Sequence, residues 1–149
     1  MREKPNRMNI YKANRKGLIN YLLIGFMILP VIVFFLDKNT FEEKPFILLP
    51  LWSPLILILW IYFDTFYKIE KNELIYRSGF LRGKIEIPNI KEILIGKTMW
   101  IGIKPALAIN GLIIKFNKYD EIYIAPENND KLISDLIKLN PEIKITEKT

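Results

Sequence analysis

The sequence predicts a membrane α-helical hairpin followed by an α+β soluble domain, whose antiparallel sheet curls into a partly open barrel capped by a C-terminal helix. Three observations predict this fold class. Two apolar runs, residues 18–36 and 45–63, contain no charged residue over 19 positions each. Short segments of period-two alternation follow between residues 66 and 124, and a helical periodicity covers residues 130–140. A small sheet closed by one helix buries such apolar faces most simply.

The two apolar runs have the length of transmembrane helices. At about 1.5 Å rise per residue, each run spans roughly 28 Å, close to the roughly 30 Å of a hydrocarbon core. A signal peptide is the alternative for the first run, but no small-residue cleavage site lies near its end at Leu36 and a second run follows. Neither run carries an ionisable residue of the kind that transport at membrane depth requires. We therefore predict an anchoring or oligomerising two-helix hairpin over residues 18–63.

Charge predicts the orientation of that hairpin. Residues 1–17 carry six basic side chains and one acidic one, whereas residues 37–44 carry two basic and three acidic ones. Basic residues that flank a span remain on the cytoplasmic side. We therefore predict a basic cytoplasmic leader over residues 1–17, both termini in the cytoplasm and a multi-pass position in the inner membrane. Residues 64–149 have 14 basic and 12 acidic residues, so no nucleic-acid partner is expected.

Composition excludes several kinds of chemistry. The chain has no cysteine and no histidine, which rules out disulfides, zinc sites built from these residues and catalysis by them. No glycine-rich phosphate loop, serine-nucleophile motif or metal-ligand spacing is present. The acidic pair Asp120-Glu121 falls in a predicted turn, where acidic side chains are ordinarily solvated by water. We expect no catalytic activity, no cofactor and no metal site.

The soluble segment begins with three short predicted strands. Alternation of apolar and polar residues indicates strands over residues 66–71, 74–78 and 84–87. A loop with glycine at both ends, residues 79–83, separates the second strand from the third. Pro88 ends the third strand because proline cannot donate to a sheet ladder.

Three further strands and one helix complete the domain. The pattern predicts strands over residues 90–95, 112–116 and 121–124, with an irregular stretch over residues 97–106. The helix begins near residue 130, where Asn128 or Asn129 is a suitable N-cap, and it ends before Pro141. Its apolar face consists of Leu132, Ile133, Leu136, Ile137 and Leu139.

Two stretches carry a family resemblance. Residues 122–133 read Ile-Tyr-Ile-Ala-Pro-Glu-Asn-Asn-Asp-Lys-Leu-Ile, and residues 76–83 precede Ile-Glu-Ile-Pro at residues 85–88. The first stretch resembles the closing strand, proline turn and helix of the bacterial pleckstrin-homology-like (PH-like) family. The second stretch resembles the second hairpin of the same family. This is the YyaB-like group, formerly a domain of unknown function, which is found behind two transmembrane helices. The resemblance covers residues 64–149 and implies a PH-like fold, but no activity. Two positions that are often serine in the family are Ala108 and Ala125 here.

Two segments are candidates for contact with the membrane surface or a partner. Residues 79–83 place two apolar side chains and one cation between glycines, although these side chains could instead fold under the sheet. Residues 97–104 combine a tryptophan with flanking lysines, and the alternative is a core strand that buries the tryptophan. The candidate contact residues are Phe80, Leu81, Arg82, Lys97, Met99 and Trp100.

The expected function is binding. We expect a membrane-anchored PH-like scaffold module that docks a protein partner, or a second copy of itself, at the cytoplasmic face of the membrane. Either an exposed edge strand or the two candidate segments would form the contact surface. The turn at residues 71–73 offers one lysine, Lys71, whereas phosphate recognition requires several converging donors, so inositide binding is not expected. The alternative function is an immunity or envelope-stress protection factor against a membrane-active agent.

Overall fold

The computed structural model describes residues 9–43, 46, 48–99 and 101–147. Most of the predicted elements are present within one or two residues of their expected bounds, and two additional strands, β1 and β8, occur near the ends of the chain. A 3₁₀ turn over Ile87–Asn89 joins β4 to β5. The elements are β1 Asn9–Lys12, α1 Leu18–Leu36, α2 Lys38–Glu43, α3 Leu48–Asp64, β2 Phe66–Glu70, β3 Glu73–Ser78, β4 Leu81–Glu86, β5 Ile90–Ile95, β6 Leu112–Phe116, β7 Asp120–Ile124, α4 Asn129–Leu139 and β8 Lys144–Glu147.

The two apolar helices α1 and α3 contact each other and run antiparallel. The guanidinium of Arg15, just before α1, lies 4.8 Å from the ring centroid of Tyr62 near the end of α3. Among the described residues, α1 is the one helix long and apolar enough to cross a membrane, and the apolar helical stretch Trp52–Asp64 is shorter. Residues 45 and 47 of the second expected span lie outside the described residues. A crossing by α3 therefore stays a prediction.

The strands form two four-stranded sheets. The first has the order β1-β2-β3-β4 and is antiparallel throughout. The second has the order β7-β6-β5-β8, in which β8 runs parallel to β5 and the other pairs are antiparallel. The predicted architecture of antiparallel strands with a C-terminal helix is confirmed. Strand β8 was not predicted, because four residues give too short an alternation to indicate a strand.

Strand β1 lies within the predicted leader, residues 1–17. Residues 9–12 pair antiparallel with β2, from Asn9 opposite Ile69 to Lys12 opposite Phe66. The following residues reach the second sheet, because Asn14 N–H donates to the carbonyl of Ala125 at 2.7 Å and Ala13 bridges to Pro126. Part of the leader is therefore a component of the domain, and it joins the edges of β2 and β7.

Helix α4 packs against the core between the sheets. Leu132 and Leu136 are fully buried, and the side chain of Asn128 caps the helix by accepting from the N–H of Lys131 at 2.9 Å. The core that α4 covers contains Tyr67, Ile69, Leu74, Ile85, Ile87, Ile90, Ile93, Leu112, Ile114, Ile122 and Ile124. The amphipathic helix and its asparagine cap thus occur where the sequence indicated them.

The strand directions give the domain two unlike ends. We call the end that faces α1 and α3 the helix-proximal end, and it consists of the turn at residues 79–80 and a long loop over residues 96–111. The distal end consists of the turn at residues 71–72, the 3₁₀ turn Ile87–Asn89 and the turn at residues 117–119. These distal turns are joined to one another, since Ile87 N–H donates to the Asn72 carbonyl and Asn117 N–H donates to the Asn89 carbonyl, each at 3.0 Å.

Candidate functional site

Helix α3 is connected to the end of β3 by two polar contacts. The Nε atom of Arg77 lies 2.8 Å from the carboxylate of Asp64, the last residue of α3. The hydroxyl of Thr65 donates to the carbonyl of Ile61 at 2.6 Å and lies 2.8 Å from the hydroxyl of Ser78. Because Thr65 and Ser78 are buried, these contacts fix the direction in which the helix leaves the domain.

The turn at residues 79–80 continues this connection along α3. Gly79 adopts a φ of 56°, and a Cβ atom there would lie 2.8 Å from the Ile61 side chain, so the position suits glycine. The ring centroid of Phe80 lies 4.7 Å from that of Trp60 in an edge-to-face arrangement. Phe80 nevertheless remains 71% exposed, so it does not fold under the sheet. The turn therefore lies against the last turns of α3 with its aromatic side chain uncovered.

The other two candidates near this turn are also exposed. Leu81 is 43% exposed, and Arg82 is exposed at the start of β4. The Nε atom of Arg82 donates to the Gly79 carbonyl at 3.2 Å, which holds the guanidinium beside the turn. The structure thus brings Phe80, Leu81 and Arg82 together on one surface at the helix-proximal end.

The long loop divides the remaining candidates. Lys97 is exposed, but Met99 is only 6% exposed and belongs to a second apolar cluster together with Leu94, Ile113 and Tyr123. The thioether side chain of Met99 therefore fills space beneath the loop and is not on the surface. Trp100 lies outside the described residues, so its role stays a prediction.

Two buried tyrosines hold the long loop to the core. The Tyr67 hydroxyl donates to the Pro105 carbonyl at 2.6 Å and accepts from the Ala125 N–H at 3.1 Å. The Tyr123 hydroxyl accepts from the Gly111 N–H at 2.8 Å and donates to the carbonyls of Ala108 and Ile109. Burial raises the pKa of both phenols, so both remain neutral donors at physiological pH.

Sequence reasoning missed three exposed apolar residues on this loop, of which Ile103 lies beside the middle of β7, where it bridges to Ile122. Ile101 is 89% exposed, Ile103 48% and Ile109 61%. Ile101 and Ile103 fall within the stretch singled out for its tryptophan, but isoleucine in an irregular segment indicated core as readily as surface. The loop also lies beside the first turns of α1, where a cleft of about 200 Å³ is bordered by Leu18, Ile19, Leu22, Lys104, Ala106, Leu107, Ala108 and Ile109.

A polar cluster connects β1 to α4. The Tyr11 hydroxyl donates to a carboxylate oxygen of Asp135 at 2.7 Å, and the Asn9 amide donates to the same oxygen at 3.3 Å. Lys138 lies 3.0 Å from the other oxygen. The hydrogen bond from Tyr11, together with Lys138, lowers the pKa of the Asp135 carboxyl, while burial and Asp135 raise the pKa of the Tyr11 phenol. The leader strand is therefore held by side chains as well as by its ladder.

Comparison with known proteins agrees with this architecture. Residues 65–140 match the family model of the bacterial PH domain, which is just over half of the chain. The chain belongs to the bacterial PH domain family. It is also 27% identical, over 105 residues and 70% of each chain, to a Bacillus subtilis (strain 168) protein described as uncharacterized protein YyaB. The resemblance to the YyaB-like group is thus confirmed. The family match spans β2 to α4, so β1 and β8 lie outside it.

Membership of the bacterial PH domain family favours a binding role over catalysis. PH-like domains are generally binding or scaffold modules without catalytic activity. In the part of the chain that the structure describes, no group of three or more Asp, Glu, His or Cys side chains is placed to hold a metal ion.

Proposed function

We propose that this protein is a membrane-anchored PH-like module that docks a protein partner at the cytoplasmic face of the membrane. The observation that carries the proposal is the pairing of β1 with β2. Strand β1 precedes α1 and β2 follows α3, so both ends of the helical segment enter the same sheet. They consequently lie on the same side of any membrane that the segment crosses, and the number of crossings is even.

Helix length supports two crossings. Helix α1 has the length and apolarity of a span, and α3 has 17 residues, or about 26 Å at 1.5 Å per residue. If α1 crosses once, α3 must return the chain to the side of the domain. Only 6% of the most apolar part of α1 is buried inside the protein. Lipid would cover the rest of this apolar surface.

The flanking charges support a cytoplasmic domain. Lys12, Arg15 and Lys16 precede α1 on the domain side, and residues 37–44 on the opposite side carry two basic residues against three acidic ones. Basic residues beside a span remain in the cytoplasm. Together with the pairing of β1, this charge distribution supports a cytoplasmic position for both the leader and the PH-like domain.

Two edge strands support docking of a protein. Within the described residues, β4 pairs with β3 alone and β8 pairs with β5 alone, whereas residues 12–14 pair with residues 125–127 after β7, and Ile103 pairs with Ile122 on β7. An unpaired strand edge presents backbone donors and acceptors to which an extended segment of a partner can add. The edges of β4 and β8 are accordingly the proposed docking surfaces.

Topology is tested with single cysteines, since the natural chain has none. In intact cells, an Asn39→Cys variant should react with a membrane-impermeant maleimide, and a Tyr119→Cys variant should react after permeabilisation alone. Both side chains are exposed, so the substitutions should preserve the fold. Reaction of both cysteines from outside would contradict the cytoplasmic position of the domain.

Docking is tested by photo-crosslinking in the native host. A photoreactive amino acid at Lys84 on β4 or Lys144 on β8 should yield a discrete protein adduct. The same replacement at Lys115, on β6 between two paired strands, is the matched control and should yield none. Absence of an adduct from both edges would contradict protein docking. The protective alternative would then be tested by the survival of a deletion strain exposed to a membrane-active peptide.

A further inference from the structure

The helix-proximal end of the domain exposes large apolar side chains on two separate segments. Phe80 and Leu81 lie on the short turn, and Ile109 lies on the part of the long loop that borders α1. In the described residues, the distal turns expose one comparable side chain, Tyr119, and Leu139 at the end of α4 is exposed beside them. Leaving Phe80, Leu81 and Ile109 in water has a free-energy cost, because apolar surface is favourably removed from water at roughly 25 cal/mol per Å².

Both apolar segments are continuous with the lipid-facing helices. Phe80 contacts Trp60 on α3, and the long loop borders a cleft with Leu18 and Leu22 on α1. Trp60 lies one turn from the end of α3, the depth at which tryptophan marks the boundary between headgroups and acyl chains. The exposed side chains therefore lie at the depth where the headgroups of a bilayer around the two helices would be.

Charge at this end is of one sign. Residues 79–83 and 96–111 contain Arg82, Lys97 and Lys104 and no acidic residue. Within the described part of the chain, none of these three cations forms an ion pair. Lys104 instead lies 4.9 Å from the Tyr123 ring centroid, which holds it at the base of the loop. Apolar tips surrounded by unpaired cations fit an anionic lipid surface.

We infer that the helix-proximal end inserts the tips of its turn and long loop into the headgroup region of the bilayer that α1 and α3 cross, with Arg82 and Lys97 on anionic phospholipid headgroups. This inference rests on the anchored arrangement proposed above. It assigns the helix-proximal end to lipid and leaves the edges of β4 and β8 and the distal end for a protein. It also fixes the tilt of the domain, because two separate loops contact one plane.

Single-cysteine labelling measures the depth of each tip in the full-length protein. Phe80→Cys, Ile109→Cys, Met27→Cys and Tyr119→Cys variants carry an environment-sensitive dye in vesicles of phosphatidylglycerol and phosphatidylcholine. All four native side chains are exposed, so none of the substitutions removes core packing. Quenching by a lipid with a nitroxide near its headgroup is compared with quenching by aqueous iodide. We expect dyes at residues 80 and 109 to be quenched by the lipid and protected from iodide, and the dye at residue 119 to behave in the opposite way.

The dye at residue 27 separates the two proposals. If the dyes at residues 80 and 109 are quenched by iodide while that at residue 27 is protected, the inference fails and the anchor stands. If the dye at residue 27 is also quenched by iodide, the anchor fails as well. If residues 80 and 109 are protected in native membranes but open to iodide in vesicles of lipid alone, a protein covers this end and the lipid assignment is overturned.

Charge variants test the contribution of anionic lipid. In the Phe80→Cys background, Arg82→Gln and Lys97→Gln should each lower the ratio of inserted to water-exposed dye about fivefold in phosphatidylglycerol vesicles, and have little effect in phosphatidylcholine alone. The matched control, Lys91→Gln with Lys118→Gln, removes two exposed cations nearer the distal end and should leave the ratio unchanged. An equal loss in both sets of variants would overturn a specific role for Arg82 and Lys97.

Discussion

The two ends of the PH-like domain differ in chemistry. The helix-proximal segments, residues 79–83 and 96–111, contain basic but no acidic residues, and they expose the apolar side chains of Phe80, Leu81 and Ile109 beside α1 and α3. The distal turns mix Lys71 and Lys118 with acidic neighbours and expose one large aromatic side chain, Tyr119. A barrel places its turns at two ends whatever their sequence. The difference between the ends therefore reflects what each end faces.

The ends also differ in how they are tied to the rest of the protein. The distal turns are held by short backbone hydrogen bonds to each other. The helix-proximal end is held by buried tyrosine hydroxyls and by the contacts of residues 77–80 with α3. Long-range connections of this kind keep an exposed apolar loop in one position. Four predictions examine this comparison, from the largest expected effect to the smallest.

Substitution of Gly111 should have the largest effect. A Cβ atom at this position would overlap the carbonyl oxygen of Ile124, which belongs to β7 and cannot move as a side chain does. We expect Gly111→Ala to lower the free energy of unfolding by about 3 kcal/mol, measured by urea unfolding of the full chain in micelles. Gly25→Ala, where a Cβ atom would meet nothing within 4 Å, is the control and should be silent. Equal stability of the two variants would show that the long loop is not fixed at this point.

Removal of one tyrosine hydroxyl should have the next largest effect. Tyr67→Phe leaves the Pro105 carbonyl and the Ala125 N–H without their buried partner, which should cost about 2 kcal/mol in the same unfolding experiment. Tyr76→Phe is the matched control, because the Tyr76 hydroxyl forms no hydrogen bond with any residue that the structure describes. Hydrogen exchange should become faster in the long loop of Tyr67→Phe and stay unchanged at the distal turns. Uniformly faster exchange would contradict a local role for Tyr67.

The leader strand should respond to pH through Asp135. Its carboxyl pKa is lowered in the folded protein, chiefly by the Tyr11 hydroxyl, so this contribution to stability is fully present above the ordinary pKa of about 4. The contribution is lost as the pH falls through the lowered pKa. Tyr11→Phe should cost about 1 kcal/mol at neutral pH and reduce the acid-dependent loss of protection at β1, measured by hydrogen exchange. An unchanged acid profile would contradict the role of this hydrogen bond.

Substitution of Tyr119 at the distal end should have the smallest effect on stability. Tyr119 is 85% exposed, so Tyr119→Ser should alter the free energy of unfolding by less than about 0.5 kcal/mol. Phe80→Ser is the informative counterpart, because it removes the ring contact with Trp60 and should destabilise the protein more in a bilayer than in micelles. A larger loss from Tyr119→Ser than from Phe80→Ser would reverse the comparison between the two ends.

Sequence patterns located those elements whose periodicity is local. Alternation indicated β2 to β7, and the apolar face of residues 132–139 indicated α4, because each pattern repeats within one element. Strands β1 and β8 were missed because each has four residues and pairs with a distant segment. The candidate turn with Phe80, Leu81 and Arg82 was recognisable from apolar residues between glycines. The burial of Met99 and the exposure of Ile101 and Ile109 were not, because an irregular loop has no period that assigns its side chains to a face.

The sequence by itself determined the uncharged run of α1, the basic flank before it, and the absence of cysteine and histidine. These follow from composition and local order along the chain, and the PH-like family was indicated by the resemblance of residues 76–88 and 122–133. Only the tertiary structure decided that the leader contributes a strand to the domain, that both loops meet the bases of α1 and α3, and that the apolar tips lie at one end. Those arrangements depend on contacts such as Tyr11 with Asp135 and Trp60 with Phe80, which join residues that only folding brings together.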